Sequence, residues 1–370
     1  MGALNGSGGP AVRRNVQEME GYVPIDTSET LAERMGLRPD QVVKLDGNEN
    51  PYGCSPRVPR ALAEFESYHR YPDPWQKETR SLLAGYIGAP AESLMLGAGS
   101  DELIDLVLRL YLDPGDEVID FPPTFGMYPF STHVCAGRVV EVPRTAEFEI
   151  DLDAAEKAIS GRTKVIVLAS PNNPSGNLAL RWQVERLLAT GRTVVVDEAY
   201  AEFSTETLVP LVAEHPNRVV LRTLSKWAGL AGLRVGYGVF PLPVVEQLWK
   251  IKQPYNLNLA AQVAVRESLL DLERLLGNVR RIVEERERLL SRLANLDFLR
   301  VYPSQANFVL CDLLEGSAED AVAFLAARGI FVRYFKKPRL LNSIRISVGL
   351  PEHTDMVVSA LLDWRTSRLA

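Results

Sequence analysis

The stretch TLSKWAGLAGLRVGYG, residues 223–238, places Lys226 and Arg234 eight residues apart in a run of small and apolar side chains that otherwise reads as core. Cations are among the residues least often buried without a partner. Either both charged heads reach water over their own aliphatic stems, or anionic partners sit elsewhere in the chain. The run also informs on the fold at both ends. It emerges from one apolar segment, RVVLRTLS (218–225), and closes into another, RVGYGVF (234–240).

Outward from there the same texture recurs. DEVIDF (116–121), GRVVEV (137–142), KVIVLAS (164–170) and TVVVDEA (193–199) are short apolar runs, with helical stretches such as LDAAEKAI (152–159) and LRWQVERLLAT (180–190) between them. SLMLGAGSDELIDLVLRLYL (93–112) gives a strand, a glycine turn and a helix whose Leu103, Ile104, Leu106, Val107 and Leu110 keep helical spacing. The alternation predicts an α/β layer architecture with a mostly parallel sheet. Past about residue 255 come long segments dense in Arg and Glu, ERLLGNVRRIVEERERLLSRLANL (273–296), which read as solvated helix faces because both signs are interspersed. NFVLCDL, AEDAVAFLAARG, IFVRYF, SIRISVG and MVVSALLDWR then alternate strand and helix on a smaller scale. The expected division is an N-terminal arm (1–40), a large domain (41–255) and a smaller α+β domain (256–370).

Composition narrows the function classes. With 46% hydrophobic and 24% charged residues and a net charge of -6, the chain of 370 residues has no general attraction for nucleic acid or an anionic membrane, so an anionic ligand must be held by local cations. Cys54, Cys135 and Cys311 are odd in number and far apart, which suits a reducing compartment. His133 and Cys135 alone do not make a metal-ligand set, and no metal is expected. No stretch is long and apolar enough to span a membrane, and the start, MGALNGSGGPAVRR, has neither a secretion signal nor, with Gly6, a myristoylation pattern. That start is Gly-rich and expected to be mobile, and the protein is expected in the cytoplasm.

In open α/β sheets ligands sit beyond the carboxyl ends of the strands. The turn GAGSDE, with Gly99, Ser100 and Asp101, opens a helix whose free N–H groups can cradle a phosphate. KVIVLAS ends in PNNPSG and Asn173, TVVVDEAY in Asp197 and Tyr200, and RVVLRTLSK in Thr223, Ser225 and Lys226. Singly these read as turn, cap, core aromatic and surface cation, and GAGSDE has Glu102 where a dinucleotide loop has its third glycine. Jointly, at successive strand ends, they suggest a site. A lysine desolvated beside another cation has a lowered pKa and attacks carbonyls. A phosphorylated aldehyde cofactor needs that amine, a phosphate cradle and an acid opposite its ring nitrogen, and pyridoxal 5'-phosphate meets this description. Asp197 supplies the acid, and Arg234, Thr223, Ser225 and the N–H groups of Ser100 and Asp101 the phosphate site.

SPNNPSG, VVVDEAY and TLSKWAGLAGLRVGYG, in this order, resemble the signature set of the fold type I pyridoxal-phosphate aminotransferases. KLDGNENPYG, LGAGSDELI, FPPTFGMY, GIFVRYF and SIRISVG further resemble the histidinol-phosphate aminotransferases, over about residues 40 to 350. The resemblance implies that Lys226 carries the cofactor as a Schiff base and shuttles a proton, that Asp197 pairs with the pyridinium, and that Asn173 and Tyr200 bond the ring oxygen. Phe125 stands where the family usually has a tyrosine, and its ring can still stack on the cofactor. Tyr52, in NENPYG, resembles the tyrosine that reaches the cofactor phosphate of a neighbouring subunit, which implies a homodimer.

On the substrate side, Arg345 can grip a carboxylate or phosphate with its planar fork. The resemblance sets Arg333 beside it as a second cation for a substrate phosphate, with Tyr22 closing over from the arm. The implied reaction exchanges histidinol phosphate and 2-oxoglutarate for imidazole-acetol phosphate and glutamate, in histidine biosynthesis. An aromatic amino-acid aminotransferase and a threonine-phosphate decarboxylase share much of the pattern. A regulator that binds the cofactor without turnover would need a DNA-binding module, which neither the short leader nor the acidic chain offers.

Overall fold

The fold is that of a computed structural model, which describes residues 12–369; the Gly-rich start, 1–11, lies outside them. Among the described residues the strands are, in chain order, β1 (Val43–Leu45), β2 (Leu94–Gly97), β3 (Glu117–Asp120), β4 (Arg138–Glu141), β5 (Thr163–Ala169), β6 (Thr193–Asp197), β7 (Arg218–Thr223), β8 (Gly236–Val239), β9 (Leu299–Val301), β10 (Phe308–Leu313), β11 (Ile330–Tyr334) and β12 (Ser343–Ser347). A seven-stranded sheet has the order β2, β8, β7, β6, β5, β3, β4, and a five-stranded sheet the order β1, β11, β12, β10, β9. From β7 to β4 the large sheet is parallel; β8 alone runs against its neighbours. The apolar runs of the sequence are these strands, and the α/β class with a mostly parallel sheet holds.

The strands at the centre are buried throughout because helices cover both faces. Every residue of β6 and β7 is buried, as a parallel sheet between two helical layers requires. At the edge, β4 has Arg138 and Glu141 exposed at its two ends, which discourages a further strand from pairing. Helix Ser100–Tyr111 starts from Gly99 at φ +81°. A Cβ on Gly236 of β8 would lie 2.4 Å from Ser100 N, so the helix N-terminus reaches the sheet only because that position has no side chain.

Two segments cross the expected division. Val43–Leu45, on the large-domain side of the 40/41 boundary, pairs in parallel with β11 of the small sheet. Helix Leu259–Leu270, beyond 255, packs on helices Arg57–Glu64 and Lys77–Ile87. Pairings between residues so distant along the chain leave no local trace, whereas the change of texture does. From the arm, Arg13 Nη2 donates to Val134 O at 3.0 Å and Asn15 Nδ2 to His133 O at 2.7 Å, which lays the first helix, Arg14–Glu18, beside Met127–Val134.

A buried ion cluster ties β6 to β7. Arg222, 7% exposed, donates from Nη2 and Nε to Glu198 Oε2 at 2.8 and 3.0 Å, and from Nη1 to Glu202 Oε1 at 3.2 Å. Removing the cation strands two carboxylates in the interior. Arg222→Met is expected to cost about 3–5 kcal/mol in urea unfolding. A loss under about 1 kcal/mol, the range of exposed pairs, would show that the cluster does not hold these strands.

Candidate active site

A cleft of about 860 Å³ opens at the carboxyl ends of β3, β5, β6 and β7 and is lined from both sheets. Lys226 follows β7 there and donates from Nζ to Gly47 O at 3.1 Å. Burial pushes its ammonium down to about 8, helped by the positive charges of Arg345 and Arg234 and opposed by Glu49 and Asp101. Asp197 ends β6 and is buried, and the same desolvation pushes its carboxyl up to about 6. Tyr128 Oη donates to its Oδ2 at 2.8 Å and Ala199 N to its Oδ1 at 3.0 Å, and both bonds favour the anion.

Arg234 has the anionic partner that its place in the opening stretch called for. Its Nη2 donates to Asp101 Oδ2 at 2.9 Å, with the arginine side chain 47% exposed and φ at +52°. A Cβ on Gly99 would come within 2.4 Å of that nitrogen, so the guanidinium lies against the start of helix Ser100–Tyr111. Thr223 Oγ1 and Ser225 Oγ are 2.9 Å apart, and both residues line the cleft with Ser100, Asp101 and Arg234. Four sources of N–H or O–H donors thus face one end of the cavity.

From the small sheet, Arg333 on β11 and Arg345 on β12 are direct cross-strand partners that also line the cleft. Like charges placed so repel, which makes an anion between them favourable. Arg345 is buried; it donates to Asn173 Oδ1 at 2.6 Å and to Asp46 O, and its Nε has no partner. Burial pushes this guanidinium down to about 10. Arg333 lies 5.5 Å from the Phe335 ring centroid. Phe125 stands edge-on between Tyr22, at 6.4 Å, and Tyr128, at 5.7 Å. Tyr22 is 45% exposed and reaches the cleft from the arm.

Of the residues singled out from sequence, Tyr22, Ser100, Asp101, Phe125, Asn173, Asp197, Tyr200, Thr223, Ser225, Lys226, Arg234, Arg333 and Arg345 line this one cavity. Tyr52 does not line it. Its ring faces Arg281 at 5.7 Å, and its turn is bound to the lysine loop, with Asn50 Nδ2 donating to Lys226 O at 3.1 Å and Trp227 O at 2.9 Å.

Sequence reading missed Tyr128, Asn48, Asp46, Gly47 and Asp120. Tyr128 lay inside the quoted FPPTFGMY, in the first turn of helix Met127–Val134, which starts just past Phe125. Asn48, which with Asp46 and Gly47 lay inside the quoted KLDGNENPYG, donates to Tyr200 Oη at 3.0 Å across 152 residues, a partner that no local pattern gives. Among the described residues Glu185, Glu214 and His215 bring ligand atoms within 4.8 Å of one another, but Arg181 already pairs with Glu185 at 2.7 Å and Glu214 at 2.8 Å. His133 and Cys135 take no part in that group. No helix among the described residues is long and apolar enough to cross a membrane.

Comparison with known proteins agrees with this geometry. The histidinol-phosphate aminotransferase of Roseiflexus castenholzii is 50% identical over 359 residues, covering 95% of this chain and 97% of its own. The chloroplastic histidinol-phosphate aminotransferase 1 of Arabidopsis thaliana is 42% identical over 354 residues, covering 95% of this chain and 85% of its own. The crystal structure of the histidinol-phosphate aminotransferase of Sinorhizobium meliloti, in complex with pyridoxal-5'-phosphate, superposes with a TM-score of 0.85 at 26% identity, over 97% of this chain and 98% of that one. The model of the family "Aminotransferase class I and II" matches residues 40–363, and the chain belongs to that family.

Proposed function

We propose that this protein transfers an amino group between histidinol phosphate and 2-oxoglutarate with pyridoxal 5'-phosphate as cofactor, a step of L-histidine biosynthesis. One observation carries the reading: a lysine with a depressed pKa, a desolvated aspartate and a pair of facing arginines share one cleft. The relatives named above support the substrate.

The donor set suits the cofactor. Asp197 is a desolvated acid, and Ser100, Asp101, Thr223, Ser225 and Arg234 line the same cleft and can offer N–H and O–H donors to a phosphate; on the substrate side Arg345 Nε is, among the described residues, a buried donor without an acceptor. Gly99 leaves the room that lets Arg234 approach Asp101. When bound, pyridoxal phosphate supplies an electron sink for charge developing at the substrate α-carbon.

The side chains do the rest. Lys226 Nζ would hold the cofactor and, with its amine free, would carry the proton from the substrate α-carbon to the cofactor carbon. Asp197, fixed by Tyr128, would hold the proton on the ring nitrogen. Asn173 and Tyr200 would serve the ring oxygen, and Phe125 the ring face. Arg333 and Arg345 grip the substrate phosphate, and Arg345 the carboxylate of the amino donor in the other half-reaction. Tyr22 covers the site. Tyr52, which does not line its own chain's cleft, serves the cleft of a second copy, so the active unit is a homodimer, working in the cytoplasm.

Three outcomes test this. Lys226→Ala is expected to abolish the visible absorption of the cofactor-loaded protein and lower transamination by at least about 10²–10⁴-fold, the usual worth of a positioned acid–base group; a colourless protein with Lys226 in place and full activity, or full activity in Lys226→Ala, overturns the reading. The neutral amine is the nucleophile, so capture of pyridoxal phosphate by the cofactor-free protein, followed by stopped-flow absorbance, is expected to quicken as pH rises to about 8 and level off above it. Comparing kcat/KM for histidinol phosphate, phenylalanine and threonine phosphate settles the substrate class. Histidinol phosphate is expected to lead, and Arg333→Ala to raise its KM by roughly 10–10²-fold, in keeping with about 1.5–3 kcal/mol for a hydrogen bond to a charged group.

A further inference from the structure

Asn48 lies where the chain leaving β1 passes beneath the cleft, 2% exposed and at φ +53°. Four hydrogen bonds fix it. Its backbone N–H donates to Ser347 Oγ at 2.9 Å, Ser347 Oγ donates to its Oδ1 at 2.8 Å, Asn307 Nδ2 donates to its carbonyl at 3.0 Å, and its own Nδ2 donates to Tyr200 Oη at 3.0 Å. The residues on either side are tied to the same site: Arg345 donates to Asp46 O and Lys226 to Gly47 O. Three consecutive residues therefore touch the arginine, the lysine and the tyrosine of the cleft.

The serine settles which way the amide faces. Its oxygen accepts the Asn48 N–H and its single hydrogen needs an acceptor, which among the described residues is Oδ1 of Asn48; turning the amide over would leave that buried hydrogen unpaired, so the NH2 faces the phenol. A donor in that place makes the Tyr200 oxygen an acceptor, and the phenol's own hydrogen must point elsewhere. The charged and titratable groups around the phenol are Arg345, Asp197 and Tyr22. Arg345 offers only donors, and the hydrogen bonds to Asp197 come from Tyr128 and Ala199 N, not from the phenol. The ring itself is held edge-on to Phe308 at 5.1 Å. The direction left for the hydrogen is the cavity that Tyr200 lines.

We infer that Asn48 is a positioning residue that keeps the Tyr200 hydroxyl pointed into the cleft as a donor, its amide held in that sense by Ser347 of β12. The inference rests on the aminotransferase reading, in which the acceptor is the ring oxygen of the cofactor. A donated hydrogen stabilises that oxygen as an anion, so losing it raises the pH at which the visible band of the holoenzyme titrates. Because Ser347 lies two residues from Arg345, the strand that meets the substrate also sets the tyrosine's polarity.

Spectrophotometric pH titration of the holoenzyme tests it. Asn48→Asp keeps the size and tolerates the left-handed backbone, but replaces the donor with an acceptor that takes the phenol hydrogen. It is expected to move the midpoint up by about one pH unit. Asn48→Gly, which suits the same φ and adds no charge, is expected to move it the same way by less. On a Tyr200→Phe background, itself shifted upward, the Asn48→Asp shift is expected to fall below half, since the two changes act through one hydrogen. A midpoint unmoved in both Asn48 variants, or an Asn48→Asp shift of equal size with and without the Tyr200 hydroxyl, overturns the inference. A wild-type protein that takes up pyridoxal phosphate without any visible band overturns the aminotransferase reading, and this inference with it.

Discussion

Desolvation of ionisable groups at the carboxyl ends of one parallel sheet is the constraint on which the rest of the structure depends. It acts on each group against its charged form, so the same burial lowers Lys226 to about 8 and Arg345 to about 10 while raising Asp197 to about 6. An amine and an acid brought toward neutral pH from opposite sides are what proton transfer near pH 7 requires. Hydrogen bonds limit how far each moves. Tyr128 and Ala199 hold Asp197 on the acid side of neutrality, and the carbonyl of Gly47 gives the lysine an acceptor without a countercharge.

Such a cleft is costly to build, and the scaffold around it is correspondingly firm. The strands that deliver Asp197 and Lys226 are buried throughout and clamped from behind by Arg222 with Glu198 and Glu202. Glycine does the same service where backbones approach: Gly236 lets the helix carrying Ser100 and Asp101 meet β8, and Gly99 admits Arg234. This end of the cleft is therefore set by positions where a side chain is absent as much as by those that donate hydrogen bonds.

The two sheets meet at the site through the short segment after β1. Because β1 belongs to the small sheet while Asp46, Gly47 and Asn48 bond Arg345, Lys226 and Tyr200, the same few residues connect the substrate side with the cofactor side. The facing pair Arg333 and Arg345 is unfavourable without an anion. An anion bound between them would relieve that repulsion.

How much of this was legible in sequence follows from range. The apolar runs, the turn GAGSDE and the polar residues just past each strand are local features, and they determined the α/β class, the mostly parallel sheet and the lysine, aspartate, tyrosine and arginines of the site. The roles of Asn173 and Arg333 came from family motifs, since neither stands out by chemistry alone. Tertiary structure alone decided that Val43–Leu45 joins the small sheet, that Arg234 pairs with Asp101 across 133 residues, and that Asn48 reaches Tyr200. The physical reason is that periodicity records which face of an element is buried, whereas a hydrogen bond between distant segments depends on how those elements stack, and no short window of residues contains that.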